Sequence, residues 1–70
     1  MILSDLDKRI LSLLKKTENP LSTYQIAKKA KITWPTANSH CYKLKSMNLI
    51  ESKQEKSKFG PNEKVVWWAL

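Results

Sequence analysis

Between Ser22 and Glu51 the chain contains two helix starts about one short helix apart, and this spacing limits its folds more than any other feature of its 70 residues. Ser22 followed by Gln25 is a capping box, in which each side chain accepts the other residue's free backbone N–H. A helix therefore begins near Thr23. Ile26, Ala27 and Ala30 give it an apolar stripe at helical spacing. Lys31-Ile32-Thr33 breaks the stripe and supplies a second N-cap residue, Thr33, with Pro35 in the first turn, where proline is tolerated. The pattern predicts a second helix from about Trp34 to Met47. Asn48 then stands where the chain needs a residue tolerant of the left-handed conformation.

The flanks extend this pattern. Ser4 and Asp7 form another capping box, with Asp5 and Asp7 placed where the positive end of a helix dipole favours carboxylates. Leu6, Ile10, Leu13 and Leu14 share one face, and Lys15 and Lys16 fall in the last turn. This is an amphipathic helix ending near Thr17, stopped by Glu18-Asn19-Pro20, with Leu21 packing in as a hydrophobic staple. Beyond Asn48, a polar stretch from Ile50 and the run Glu63 to Leu70 flank Phe59-Gly60-Pro61-Asn62, which reads as a β-hairpin. Period two puts Val66, Trp68 and Leu70 on one face and Val65, Trp67 and Ala69 on the other, and the Trp68 face is expected to meet the helices. The fold class is α+β, three helices followed by a C-terminal hairpin, as a single domain over residues 1–70.

Helix, short turn and helix make the skeleton of a helix-turn-helix, and the charge agrees with a polyanionic partner. Thirteen Lys and Arg face six Asp and Glu, a formal charge of +7. The competing reading of such charge is a surface built only for solubility. So small a domain buries a small core, which makes a homodimer a candidate state. No run approaches the ~18 apolar residues of a membrane span, and the acidic start Met-Ile-Leu-Ser-Asp-Leu-Asp is unlike a secretory signal. The single cysteine, Cys41, excludes an internal disulfide and a multi-cysteine zinc site, so a reducing, cytoplasmic setting fits. Neither a cofactor nor a small-molecule effector is expected.

Within the Trp34–Met47 helix, Trp34, Ala37, Cys41, Leu44 and Asn48 recur at intervals of three and four, a stripe that should pack inward. The other side carries Pro35, Thr36, Ser39, Tyr42, Lys43 and Ser46, with Asn38 between the two faces. Such a mixture suits base reading and phosphate anchoring: hydroxyls and amides hydrogen-bond base edges, Thr36 offers a methyl to thymine, Lys43 can neutralise phosphate, and Asn38 suits adenine. Tyr42 would otherwise be an exposed aromatic without a reason. In the hairpin, Lys53, Lys56, Lys58 and Lys64 surround the turn that ends at Asn62, and they suit phosphate whatever the sequence beneath. Ser22 and Thr23 at the start of their helix form a candidate phosphate site, to which Lys31 adds charge. Trp34 belongs to the packing stripe and also stands at the helix start, where DNA would approach.

The order helix, helix, turn, helix and basic-tipped hairpin resembles the winged helix-turn-helix DNA-binding proteins, the small regulators of archaea, bacteria and their viruses. The segment Tyr42-Lys43-Leu44-Lys45-Ser46-Met47-Asn48-Leu49-Ile50-Glu51 is its most specific part, with Asn48 in place of the usual glycine. The resemblance implies a transcriptional regulator bound to double-stranded DNA, with helix 34–47 in the major groove and the wing on the backbone or a neighbouring groove. It also implies a short first strand, for which there is room only around Pro20-Leu21.

Two alternatives carry their own signatures. Asn38, Tyr42 and a wing tryptophan, Trp67 or Trp68, resemble the set with which Z-DNA-binding winged domains grip left-handed duplexes. A winged-helix module that docks on protein would instead show a dry aromatic outer face at Trp67. Catalysis is not expected: His40 and Cys41 are adjacent and diverge by ~100° on a helix, so Cys41 reads as a core residue and His40 as a flank residue.

Overall fold

Each helix begins where a cap residue stands. The computed structural model describes residues 2–56 and 63–70, and its chain order is α1 (Asp5–Lys16), β1 (Leu21–Ser22), α2 (Thr23–Ala30), α3 (Trp34–Ser46), β2 (Ile50–Lys56) and β3 (Glu63–Ala69). Both capping boxes form: Asp7 N donates to Ser4 Oγ at 3.1 Å and Gln25 N to Ser22 Oγ at 3.2 Å, with both reciprocal bonds present. Thr33 occupies the N-cap of α3 without capping through its side chain; its hydroxyl pairs with that of Thr36 at 2.9 Å. Among the described residues, Lys31 at the C-cap of α2 and Asn48 just past α3 are the non-glycine residues in the left-handed conformation. At both ends the reversed backbone lets late N–H groups return to helix carbonyls, Ile32 N to Ala27 O at 3.0 Å and Leu49 N to Leu44 O at 3.1 Å.

The sheet is antiparallel with order β1-β3-β2. β2 pairs with β3 from Ile50↔Ala69 to Lys56↔Glu63, and β1 pairs on the other edge through Leu21↔Trp67 and Ser22↔Val66. The two residues of β1 therefore bring the start of α2 against the middle of β3. The hairpin turn, Phe59-Gly60-Pro61-Asn62, lies outside the described residues.

Ile10, Leu14, Leu21, Ile26, Ala27, Ala37, Cys41, Leu44, Ile50 and Trp67 form the buried core, with Val65 and Ala69 packed against it. This corrects the expected face of β3. Trp67 is fully buried and Trp68 only half-buried. The reason is a partner that period two does not reveal: the Trp67 indole N–H donates to Thr23 Oγ1 at 2.9 Å, and a buried indole is far better placed where its N–H is satisfied. Leu6 and Leu13 pack at the margin of the core, while α1 buries Asp7, Ile10 and Leu14.

The buried Asp7 does more than cap its own helix. Oδ2 accepts from Ser4 N at 3.0 Å and from Lys43 Nζ at 2.6 Å, and Oδ1 lies 2.5 Å from His40 Nδ1. One carboxylate thus ties the start of α1 to the middle of α3. Burial alone would raise the pKa of this carboxyl, but the hydrogen bonds from His40, Lys43 and Ser4 outweigh it and hold the group well below its ordinary value of 3.8. A carboxyl whose native pKa is depressed stabilises the fold fully above its unfolded pKa and loses that contribution as pH falls toward the native value.

Asp7→Asn is expected to cost about 2 kcal/mol at neutral pH, less than a fully buried pair would because Lys43 and His40 can reach water. Denaturant titrations at pH 7 and pH 3 check this: the gap between wild type and variant should narrow as pH falls below 3.8, whereas parallel curves would contradict the assignment. Thr23→Val leaves the Trp67 N–H unsatisfied and should cost about 1–3 kcal/mol, a fall in melting temperature of roughly 4–8 °C per kcal/mol.

Candidate nucleic-acid interface

α3 splits by face. Ala37, Cys41 and Leu44 are buried at intervals of four and three, so the helix turns a small, mostly short-chained stripe inward. Its two ends depart from the expected stripe: Trp34 is 51% exposed, and Asn48, already past the helix, is exposed as well. Trp34 opens instead onto a groove of about 660 Å³ that it shares with Tyr24 and Lys28 of α2 and Lys64 and Val65 of β3. Pro35, Ser39 and Ser46 are exposed, and Thr36 and Asn38 are half-buried. The Ser46 hydroxyl donates to Lys43 O at 2.6 Å, a carbonyl that also accepts from Met47 N at 3.2 Å.

Tyr42 and Lys43 are not free in the way their positions on the helix suggest. Tyr42 is 49% exposed, and its ring stands edge-on to Trp67 with centroids 5.0 Å apart. The contact with Trp67 gives that aromatic a structural reason to be on the outer face. Lys43 reaches back to Asp7, so its charge is already compensated within the fold. At the start of α2 both hydroxyls are likewise engaged: Ser22 and Thr23 are buried, one capping its helix and the other accepting from Trp67.

The open cations lie around α3 rather than on it. Lys28, Lys31, Lys53, Lys56 and Lys64 are exposed. Lys53 has a loose contact with Glu55 at 3.7 Å, and Lys45 with Glu51 at 3.5 Å; Lys45 also donates to Ser52 Oγ at 2.9 Å. Such surface pairs contribute little stability. Lys58 and Asn62 lie outside the described residues. From Asn19 to Ile50 the chain contains no acidic residue, so every charge that α2, its turn and α3 themselves carry is positive, and Asp7 and Glu51 offset part of it from outside.

The sequence reading passed over Tyr24. It is 61% exposed, with Lys28 Nζ 5.6 Å from its ring centre. The signal was available, because Tyr24 falls off the Ile26, Ala27, Ala30 stripe as Tyr42 falls off that of α3. His40 and Cys41 are separated in role: His40 turns to Asp7, and burial pushes the Cys41 thiol up to about 12, which keeps it unreactive. Among the described residues no cluster of three His, Cys, Asp or Glu could hold a metal ion, and no helix is long and apolar enough to cross a membrane.

Residues 3–51 match the family model for winged helix-turn-helix DNA-binding domains. None of the curated proteins is similar enough to match. Among solved structures, one described as a possible transcriptional regulator from Methanosarcina mazei Go1 superposes with a TM-score of 0.84 at 14% identity, covering 97% of this chain and 57% of its own. ZitR, a zinc-responsive MarR family member from Lactococcus lactis, gives 0.79 at 21% identity over 100% of this chain and 45% of its own. A mutant MepR from a multidrug-resistant S. aureus clinical isolate gives 0.73 at 19%, over 97% and 48%. At such identities the likeness is one of fold, and this chain spans about half the length of those structures. The family match takes in all three helices and the start of the wing, and by it the chain belongs to the winged helix-turn-helix DNA-binding family.

Proposed function

We propose that this domain binds double-stranded DNA in a sequence-dependent way and regulates transcription in a prokaryotic or viral setting, in the cytoplasm, with α3 in the major groove. One observation carries the reading. The outer face of α3 exposes Trp34, Pro35, Ser39 and Ser46, within a stretch free of acidic residues and flanked by open lysines of α2 and the wing. Small polar groups on a helix can reach base edges while surrounding lysines engage phosphate, which separates sequence reading from affinity.

Asn38 and Thr36, half-buried beside that face, complete the reading set. Tyr42 lies between base and wing, and its packing on Trp67 fixes its direction. Lys28, Lys31, Lys53, Lys56 and Lys64 supply backbone contacts, joined by Lys58 and Asn62 of the stretch between β2 and β3. Lys43, Ser22 and Thr23 serve chiefly to hold α3 and α2 in place, because their polar atoms are already bonded inside the fold. Counterion release then makes affinity fall steeply with salt.

Selection from random duplexes followed by sequencing tests the reading directly. A defined motif is expected; an inverted repeat would assign a homodimer and a single half-site a monomer, while recovery of no motif would overturn sequence-dependent binding. On the selected site, Ser39→Ala and Trp34→Ala should weaken binding by about 1–3 kcal/mol each, with melting temperature moved by less than about 3 °C. Lys28→Ala and Lys64→Ala should each reduce the salt slope by about one. Lys43→Ala should lower stability and leave the slope unchanged; the reverse pattern would make Lys43 a phosphate contact.

A specific observation favours a second reading. Tyr42 stands edge-on to Trp67, and Asn38 precedes Tyr42 by one turn, the set that resembles Z-DNA-binding winged domains. Against it, Trp67 is fully buried, and Trp34 stands near where those domains prefer a lysine. Circular dichroism of a CG-repeat duplex separates the two: inversion of the spectrum on titration would support left-handed binding, and an unchanged right-handed spectrum is the outcome expected here.

A further inference from the structure

The side of α1 turned away from the core carries cations that the α3 interface does not use. Asp7, Ile10 and Leu14 point inward, so at ~100° per residue Lys8, Arg9, Ser12, Lys15 and Lys16 occupy the opposite side. Between α1 and α2 lies a groove of about 360 Å³ lined by Lys8, Arg9, Ser12, Leu13, Lys16 and Lys29. A second, of about 390 Å³, continues it along α1 past Leu11 and Lys15. No carboxylate lines either groove. The Arg9 guanidinium donates to Ala30 O at 2.8 Å, which holds that cation at the C-terminal end of α2.

Asp5 opens this side of α1, but from Lys8 to Lys16 the helix carries no carboxylate; like charges gathered in this way repel one another, and a surface built only for solubility mixes the signs. α1 meets α3 through Asp7 on its inner side, so the outer side of α1 is turned away from α3. We propose that the α1/α2 groove is a second DNA-backbone site, through which one domain holds two duplex segments. The proposal rests on the α3 reading for the first duplex. Lys8 and Lys15 are ~10 Å apart along the helix axis, a length over which a duplex axis passes about three phosphates of each strand. The lining is lysine, one arginine, one serine and short carbon surface, with nothing shaped to read a base edge, so the site is independent of sequence. An acidic protein segment is the competing occupant; it is less favoured because the groove offers no deep apolar pocket for an anchoring side chain.

The test immobilises a duplex of the selected sequence, saturates it with protein and offers a second, fluorescent duplex of unrelated sequence, while anisotropy measures binding to the selected duplex alone. Wild type should capture the second duplex. The triple variant Lys8→Glu, Lys15→Glu, Lys16→Glu, all on the outer side of α1, should weaken capture by about 10- to 100-fold and leave affinity for the selected duplex within about threefold, since electrostatics beyond ~10 Å is largely screened. The neutral triple to Gln, checked for folding by its melting temperature, should move capture in the same direction. Undiminished capture by both folded triples would overturn the proposal and assign bridging to α3 of a second protomer. Wild type that binds the selected duplex and captures no second one would overturn it too, as would capture of a polyglutamate peptide in preference to DNA. Failure of the α3 reading looks different: Ser39→Ala and Trp34→Ala would leave single-duplex binding intact while the Glu triple abolished it, which upholds the groove as a DNA site and overturns α3 as the other.

Discussion

The pose of α3 depends on one buried carboxylate. The inward stripe of α3 consists of Ala37, Cys41 and Leu44, two short side chains and one leucine, and a stripe that small defines the rotation of a helix poorly. Asp7 supplies what the stripe lacks. It is fixed at the start of α1 by its bonds with Ser4 and receives His40 and Lys43 from the middle of α3. A buried ion pair of this kind need not add stability over an apolar substitute of the same shape. Its value lies in direction, because only one rotation of α3 brings both His40 and Lys43 to the same carboxylate. With that rotation set, Pro35, Ser39 and Ser46 face outward and Tyr42 meets Trp67 at the root of the wing.

A second interaction fixes the wing to the same frame. Trp67 lies at the centre of the sheet, paired with Leu21 on one side and Ser52 on the other, and its indole N–H is held by Thr23 at the start of α2. The start of α2, the middle of α3 and the central strand therefore converge on one side chain. This ties the described strands of the wing to α3, so a duplex docked on α3 as proposed would meet Lys53, Lys56 and Lys64 at a set offset.

Much of this was legible in the sequence because caps and breakers act locally. The capping boxes at Ser4 and Ser22 and the left-handed Asn48 follow from chemistry within a few residues, and the structure places them where that chemistry requires; the two-residue strand at Leu21 was implied by the family resemblance alone. The face of β3 was not legible, since alternation gives two faces and says nothing about which one finds an acceptor 44 residues away in sequence. Nor was the double role of Asp7: a carboxylate in the first turn of a helix reads as a solvated cap, and its partners lie 33 and 36 residues further on. The same distance in sequence hid the engagement of Lys43, which periodicity alone assigns to the open face. Trp34 was ambiguous because a helical stripe does not say how far the covering elements reach, and here they stop short of the first turn.

The division of labour that results is physical. In the function we propose, base reading falls to short polar groups on α3, which have few rotamers to lose on binding, while affinity falls to lysines on α2 and the wing that carry charge and little information. The direct measurement is backbone amide chemical-shift mapping of the labelled domain titrated with a duplex. The account predicts that the largest changes cluster at Trp34, Thr36, Ser39 and Tyr42 of α3, with smaller ones at Lys28 and along β2 and β3. Changes confined to α1, or an absence of change on α3 at saturating duplex, would contradict it.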